Sequence, residues 1–251
     1  MRIRAIVAGI LVTSCLVVAG RAATLSSMAT LAVQGAILPL VASFERDTGH
    51  TVTIQFDTGP NLGRRVAAGE TADVLIAPAA VVERAVADGR VVAGTTTSVG
   101  EVAVGVAVPS DARRPDITSL AAFRAALLAA DAVVYSQGTS GVYIEGLFER
   151  LGIAGTIRAK TVRLANGGAV MERIAASRRN ELGFTMTSEI RLFEERGARL
   201  LGPLPAEIQR LTTYVAGVMT ASSQREAAAA FVNHITTPEA RQVFVATGWE
   251  P

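Results

Sequence analysis

The chain has 251 residues, of which 50% are apolar, enough for one large α/β domain or for two small lobes. Its formal net charge is +2, but Arg2, Arg4 and Arg21 lie in an N-terminal segment without acidic residues, so the remainder carries 21 basic and 22 acidic side chains. This balance argues against a nucleic-acid-binding protein, because such proteins need a basic face to displace counterions from phosphates.

The first 23 residues are typical of a cleaved export signal. Arg2 and Arg4 precede an apolar run over residues 5–19, and small residues then offer a cleavage site near Ala22 or Ala23. The run is too short, and too soon followed by arginine, for a transmembrane helix. We therefore predict a signal peptide over this segment and a periplasmic location for the remaining chain.

Cys15 is the only cysteine, and residues 12–15 also resemble a lipobox, which would place a lipid anchor on its thiol. The apolar run continues over residues 16–18, where a mature lipoprotein usually turns polar, so we favour ordinary cleavage over lipidation. In either case the rest of the chain can form no disulfide, cysteine nucleophile or thiolate metal site.

Strand and helix patterns alternate along the mature chain, as apolar periodicity and glycine or proline stops indicate. We predict strands at residues 30–33, 52–56, 73–77, 102–108, 132–135, 161–164, 182–185, 199–201 and 213–219. We predict helices from about residue 37 to Gly49, then at 62–68, 81–88, from the Ser119 cap to 130, at 140–151, 168–176, from 186 to 196, 224–235 and 238–246.

This alternation predicts an α/β fold with mixed, mainly parallel sheets covered by helices on both faces. No P-loop or dinucleotide-binding glycine fingerprint is present. Ligands of such open sheets bind beyond the carboxyl ends of the strands, near helix N-termini. The candidate site turns are residues 34–35, 58–61, 137–141, 166–168 and 185–187.

These five turns share a composition of glycine with small hydroxyl or amide residues, and each leads into a predicted helix. A helix start has unpaired N–H groups and a partial positive charge, so several starts aimed at one point can bind an anion without lysine or arginine. The alternative for any single turn is ordinary N-capping. Their recurrence in corresponding positions, together with an export signal, favours a binding site.

Several segments resemble the periplasmic molybdate-binding family within the type II extracellular solute-binding proteins of ABC transporters. The resemblance spans about residues 29–251 and is carried by residues 44–50, 65–77 with its Ala-Gly-Glu-Thr-Ala-Asp-Val pattern, 140–152, 181–184 and 231–248. It implies a two-lobed fold with a hinge, a small anionic ligand held between the lobes, and an inner-membrane ABC permease as partner. We expect a monomer without a cofactor or metal ion.

The resemblance also implies the boundaries of the lobes. Residues 29–101 with 219–251 would form lobe 1, and residues 109–210 would form lobe 2. Hinge crossings would lie at residues 102–108 and 212–218. Closure of the lobes would bury the ligand.

Molybdate-binding relatives hold a tetrahedral oxyanion with serines of the first two loops, backbone amides of the next two and a tyrosine hydroxyl of the last. Here the first-loop serine is absent, and Met186 stands at the tyrosine position and cannot donate a hydrogen bond. Either a molybdate-like oxyanion or an organic carboxylate remains possible. The ligand-binding candidates are Gln34, Gly35, Thr58, Gly59, Asn61, Ser140, Gly141, Tyr143, Gly167, Thr185 and Met186.

Four charged residues lie near these turns. Arg64, Arg65 and Arg163 could bind a carboxylate bidentately or remain solvated. Asp57 could repel an anion or accept a hydrogen bond from a loop amide.

An enzyme on the same scaffold is the alternative function. Some relatives of this wider group resemble isomerases of small acids such as aconitate, whose chemistry needs a general base and an anion clamp. Tyr143, Glu145 and Glu172 are candidate bases, although no motif marks them. Only two histidines are present, His50 and His234, which excludes a zinc site built on several imidazoles. A third reading, the effector domain of a transcription regulator, would need a helix-turn-helix where the leader stands.

Overall fold

The computed structural model describes residues 22–251, so the predicted lipobox and all but the last two residues of the predicted leader lie outside it. Its strands are β1 Thr24–Thr30, β2 Thr51–Asp57, β3 Val74–Pro78, β4 Thr97–Pro109, β5 Ala132–Ser136, β6 Thr161–Leu164, β7 Glu181–Met186, β8 Ala198–Pro203 and β9 Leu211–Val218. Its helices are α1 Gln34–Thr48, α2 Gly59–Ala67, α3 Ala79–Ala87, α4 Leu120–Ala129, α5 Thr139–Arg150, α6 Ala154–Ile157, α7 Gly167–Ala176, α8 Thr187–Arg191, α9 Arg225–His234 and α10 Pro238–Ala246. Within the described range, no helix has both the length and the hydropathy needed to cross a bilayer.

The strands pair in the order β2-β1-β3-β9-β4-β7-β5-β6, and β8 pairs with β4. Strand β4 belongs to both halves of this order, because it pairs with β9 up to Ala103 and with β7 from Val104 onwards. The pairs formed among β1, β2 and β3 and among β5, β6 and β7 are parallel, whereas every pair that includes β4 or β9 is antiparallel. The predicted two-lobed, mixed α/β fold is confirmed.

The first strand lies earlier than predicted. Strand β1 ends at Thr30, and Leu31–Val33 form a 3-10 turn that runs directly into α1. The prediction of a strand at residues 30–33 was therefore wrong, because a short apolar run does not by itself distinguish a strand from a buried helical turn. Consequently the first turn that faces the carboxyl edge of the sheet begins at Thr30, not at Gln34.

The helix after β7 is also shorter than predicted. Helix α8 ends at Arg191, and a 3-10 turn at Glu194–Arg196 follows. Gly197 then takes a positive φ of 103°, which lets the chain reverse into β8. By contrast, two predicted helix boundaries are confirmed: Ser119 Oγ accepts a hydrogen bond from the Ala122 amide at 3.2 Å, and Gly49 ends α1 with a φ of 73°.

Aromatic side chains fill the core of each half. In the first half Phe44 packs against Phe231, with 5.2 Å between ring centroids, and in the second half Phe184 packs edge-on against Phe123 and Phe148. Such pairs combine the burial of a large apolar area with favourable ring geometry.

Near the carboxyl terminus, Trp249 covers the middle of the sheet. Its ring contacts Tyr214 of β9 at 5.2 Å and Phe244 of α10 at 4.8 Å between centroids. The last residues of the chain therefore hold Tyr214 in place from behind, and this matters because the other side of Tyr214 faces the pocket described below.

The turn between β5 and α5 depends on Gly141. A Cβ atom there would overlap the backbone carbonyl of Ser136, so α5 can start directly over the end of β5 only with glycine at this position. Gly146 lies further along the same helix, where an added Cβ would meet only the flexible end of Arg150 at 3.4 Å.

We expect Gly141→Ala to lower the free energy of unfolding by about 3 kcal/mol, since the overlap involves backbone that cannot relax easily. The matched change Gly146→Ala should raise it by up to about 1 kcal/mol, because alanine is the better helix former. Urea denaturation of both variants checks this. Equal effects of the two substitutions would contradict the assigned turn.

Candidate functional site

One small pocket lies at the carboxyl ends of β1, β2, β5 and β7, where the two halves of the fold meet. The centre of a water-sized sphere can occupy about 20 Å³ of it, and its empty volume is about 290 Å³ when space open to solvent is included. The residues that line it are Thr30, Leu31, Ala32, Asp57, Thr58, Gly59, Ser136, Gly138, Thr139, Ser140, Gly167, Met186, Glu189 and Tyr214. Four of the five turns expected from the sequence therefore converge, whereas residues 34–35 do not line the pocket and residues 30–32 take their place.

Three helices of two turns or more start at this pocket. The first residues of α2, α5 and α7, which are Gly59, Thr139 and Gly167, all line it. The N–H groups of a first helical turn have no partner within the helix, and the helix dipole is positive at that end. An anion in the pocket would therefore meet partial positive charge from both halves of the fold.

The walls from the two halves are in close contact. A Cβ atom added at Gly59 would lie 2.6 Å from Thr139 Oγ1, and one at Gly138 would lie 3.6 Å from Thr58 Cγ2. Helix α8 adds hydrogen bonds across the same boundary, from Ser188 Oγ to the Ala32 carbonyl at 2.8 Å among others. The structure is thus a closed one, with the pocket sealed on several sides.

A buried hydroxyl without a partner faces the pocket. Thr30 is 4% exposed, and its Oγ1 has no hydrogen-bond partner among residues 22–251. Leaving such a group unpaired costs about 1–3 kcal/mol, and an acceptor on a ligand would remove that cost. The first turn therefore has no serine, as expected, but it carries the hydroxyl group of Thr30. Ser140, at 3% exposure, supplies a second hydroxyl to the same pocket.

A buried carboxyl group also lines the pocket, and sequence reasoning missed it. Glu189 is 8% exposed, and its Oε2 accepts hydrogen bonds from the Thr185 hydroxyl and, at 3.3 Å, from the Met186 amide. Burial raises the pKa of Glu189 above its ordinary value, although these two hydrogen bonds lower it in part. A glutamate three residues into a helix resembles an ordinary capping residue, so the sequence carried no distinguishing signal.

Gly167 makes room for this carboxyl group. A Cβ atom at Gly167 would collide with both Glu189 and Thr185, so α7 can start against them only because the residue is glycine. The role expected for Gly167, close approach of backbone to the site, is consistent with this packing.

Two further groups set the charge of the pocket. Burial and then the negative charge of Glu189 raise the pKa of the Tyr214 phenol, which is therefore neutral. Burial would raise the pKa of Asp57, but hydrogen bonds from Asn61, the Thr58 amide and Arg65 together lower it. No lysine or arginine is among the residues that line the pocket.

The structure separates the predicted site residues into two groups. Those that line the pocket are Thr58, Gly59, Ser140, Gly167 and Met186. The remaining six, which do not line it, are Gln34, Gly35, Asn61, Gly141, Tyr143 and Thr185. Gln34 and Gly35 lie inside α1 because β1 ends early, and Gly35 faces Leu192 and Thr247.

The other displaced candidates have structural contacts. Tyr143 donates its hydroxyl proton to the Ile208 carbonyl at 2.6 Å, so its side chain is directed away from the pocket. Asn61 donates to Asp57 Oδ1 at 2.8 Å, and Thr185 supports Glu189 from behind. Gly141 acts through the β5–α5 turn.

The charged candidates also lie outside the pocket lining, apart from Asp57. Arg65 pairs with Glu70 and Asp57, and Arg163 lies 3.3 Å from Glu145. Arg64 donates to Asn61. Asp57 accepts a hydrogen bond from the Thr58 amide at 2.7 Å, which was one of the two roles expected for it. Of the candidate bases, Tyr143, Glu145 and Glu172 are all absent from the lining.

The fold and this pocket define a class: two α/β lobes that share β4 and enclose a small polar pocket at their helix starts. Residues 25–250 match the family model described as bacterial extracellular solute-binding protein, and the chain belongs to that family. Its role within the family is substrate binding.

Individual proteins resemble this chain in sequence or in structure. The aconitate isomerase of a Pseudomonas species is 28% identical over 96% of this chain and 93% of its own length. The periplasmic molybdate-binding protein of Azotobacter vinelandii superposes with a TM-score of 0.76 at 16% identity, covering 90% of this chain and 99% of that one. A sulfate-binding protein of Mycobacterium tuberculosis gives a TM-score of 0.74 at 15% identity, with coverage of 91% and 87%.

We expect the stability of the protein to depend on the ionisation of Glu189. Because its pKa is raised in the folded state, the contribution of the neutral carboxyl group is fully present below its ordinary pKa and is lost as pH rises through the raised value. Glu189→Gln keeps a neutral group at every pH. The variant should therefore gain stability relative to the wild type as pH rises, by about 1.4 kcal/mol for each unit of pKa shift.

Urea denaturation at pH 5 and pH 8 measures this difference. Glu145→Gln, a change of the same kind at a half-exposed position, is the control and should show no such trend. A constant stability difference between Glu189→Gln and the wild type at both pH values would contradict the assigned burial.

Proposed function

We propose that this chain is the substrate-binding protein of an ABC importer, that it works in the periplasm after removal of the leader at residues 1–23, and that it binds a small anion in the pocket. The observation that carries the proposal is the convergence of three helix starts from both halves on a pocket that also holds the unpaired hydroxyl of Thr30. Helix starts and neutral hydroxyls together form an anion site.

The proposed hinge follows from the pairing of the central strands. We place lobe 1 at residues 29–101 with 219–251, preceded by the start of β1, and lobe 2 at residues 109–210. Strand β4 changes its partner from β9 to β7 between Ala103 and Val104, within the proposed crossing at residues 102–108. A bend there would open the pocket without breaking the sheet of either lobe.

The lining of the pocket favours an organic carboxylate over a bare oxyanion. Leu31, Ala32 and Met186 present apolar surface beside the helix starts, and Met186 has no proton to donate. A tetrahedral oxyanion gains nothing from apolar walls, whereas the carbon skeleton of a carboxylic acid does. Relatives described as binding molybdate and sulfate make oxyanions the second ligand class to test.

We expect a small di- or tricarboxylate to raise the melting temperature of the purified protein more than molybdate, tungstate, sulfate or phosphate does. Ligand at 100–1,000 times Kd stabilises a protein by about 3–4 kcal/mol. A thermal-shift screen followed by calorimetric titration measures the ranking. Absence of any shift across the whole panel would contradict the proposed ligand class.

The Thr30 hydroxyl provides a direct test of where the ligand binds. Thr30→Val keeps the shape of the side chain but removes a hydrogen bond to the ligand, so Kd should rise about tenfold or more. Thr220→Val, at an exposed threonine outside the pocket, is the matched control and should leave Kd unchanged. Equal Kd values for Thr30→Val and the wild type would mean that the ligand binds elsewhere.

An isomerase of small unsaturated acids is the second candidate function. It is supported by the aconitate isomerase relative, which aligns with nearly the whole chain, and by the buried carboxyl group of Glu189 in the pocket wall. In such a reaction the base takes a proton from an allylic carbon and the C–H electron pair becomes a new double bond. The electron pair of the former double bond binds a proton at the carbon farther from the base. No cofactor or redox partner is consumed, and a base with a raised pKa is suited to this transfer near neutral pH.

Incubation with cis-aconitate and, separately, with trans-aconitate distinguishes the two candidates, because interconversion changes ultraviolet absorbance. If the protein is an isomerase, Glu189→Gln should lower the rate by about 100-fold or more, and Glu145→Gln should not. Binding of aconitate without any interconversion would support the transport function and would contradict the isomerase function.

A further inference from the structure

We propose that Glu189 is protonated whenever the pocket holds an anion and donates a hydrogen bond to it, so that binding takes up a proton at any pH where the free carboxyl group is ionised. The inference rests on the proposed anion-binding function and adds to it the residue that makes binding depend on pH. It assigns Glu189 a binding role through a direct contact with the ligand.

The geometry leaves one oxygen of Glu189 free for this role. Oε2 already accepts hydrogen bonds from Thr185 and Met186, which lie behind it on β7. Oε1 makes no hydrogen bond within residues 22–251, and the side chain lines the pocket. A proton on Oε1 would therefore be available to a ligand and to no other described group.

Charge balance supplies the reason for the proton. A carboxylate and an anionic ligand would be like charges in one closed pocket, and no lysine or arginine lines that pocket to offset them. Three helix starts offer about half a positive charge each, so a dianionic or trianionic ligand already exceeds what they offset, and an ionised Glu189 would add one further uncompensated charge. Taking up a proton is the usual response of buried carboxyl groups that face a second negative charge.

The groups that face Glu189 do not provide an alternative source of charge. Tyr214 on β9 is neutral, and Asp57 at the end of β2 is ionised but held by Arg65. The turn at residues 31–33 and the first half of α1 contain no titratable side chain. The carboxylate of Asp57 is therefore already paired with Arg65. Among the groups that face the ligand, Glu189 is the one that can change its protonation state.

The other elements packed against α8 direct their charged groups elsewhere. On α7, Arg173 pairs with Glu181 at the opposite end of β7, and Glu172 is exposed. Arg199 of β8 lies opposite Val108 of β4. Met186, at the pocket end of β7, lies opposite Val104, which is four residues earlier in β4. Glu101 of β4 accepts from the Thr213 hydroxyl at 2.6 Å, and Arg191 of α8 lies 3.5 Å from Glu194.

Isothermal titration calorimetry in two buffers of different ionisation enthalpy, PIPES and Tris, measures proton uptake on binding. The probes are sulfate, molybdate and trans-aconitate, and the tightest of them is followed from pH 5.5 to pH 8. We expect uptake to approach one proton per ligand at the upper end of this range. There the Kd of the wild type should rise about tenfold per pH unit, as for any single linked proton.

Glu189→Gln carries a neutral amide of the same shape and should bind with a Kd that does not vary with pH beyond the titration of the probe itself. Any protonation of trans-aconitate contributes equally to the variant and the wild type, so the difference between them isolates Glu189. Glu145→Gln, outside the pocket, should behave as the wild type does.

The possible failures are distinguishable. Wild-type binding with no proton uptake and a flat Kd would overturn the role of Glu189 while leaving the anion-binding function in place. Uptake that persists in Glu189→Gln would overturn it by assigning the proton to another group. If none of the probes bound to either protein at any pH, the proposed function itself would fail, and this inference with it.

Discussion

The site depends on one constraint: three helices must begin at one small pocket whose lining contains no cationic side chain. Glycine at the first position of α2 and α7 makes this possible, because any side chain there would strike Thr139 or Glu189. Thr58 and Asn166 cap the amides of Asn61 and Ala169, so the positive groups left for a ligand are the remaining N–H groups of the first helical turns. The proposed affinity of the pocket for an anion would therefore come from the backbone, and its selectivity from the few side chains that fill the gaps.

Those side chains are held by the parts of the fold that join the lobes. Tyr214 lies on β9 and is supported from behind by Trp249, close to the carboxyl terminus. Glu189 lies on α8, whose neighbouring residues Thr187 and Ser188 donate hydrogen bonds to the carbonyl groups of Gly248 and Ala32. A movement of one lobe relative to the other would thus change the surroundings of both groups at once, and this links closure to the charge state of the pocket.

Much of this arrangement could be predicted from the sequence, because it follows from local rules. Alternating strand and helix patterns gave the fold class, and glycine-rich turns at strand ends gave four of the five segments that meet in the pocket. The remaining segment, the turn after β1, was predicted four residues too late, since the short apolar run at Leu31–Val33 is compatible with a strand or a turn. Glu189 and Tyr214 could not be found in this way, because nothing local distinguishes a glutamate in a helix or a tyrosine in a strand from their many structural counterparts. Their importance arises only when distant segments pack together.

We propose that the anion lies among the starts of α2, α5 and α7. A crystal structure of the protein grown with its tightest-binding anion would show whether it does. Ligand density should then lie within hydrogen-bonding distance of the Thr30 hydroxyl, the Gly59 amide and the carboxyl group of Glu189. Density instead beside Arg113 and Arg114, which line a separate crevice next to α4, would contradict it.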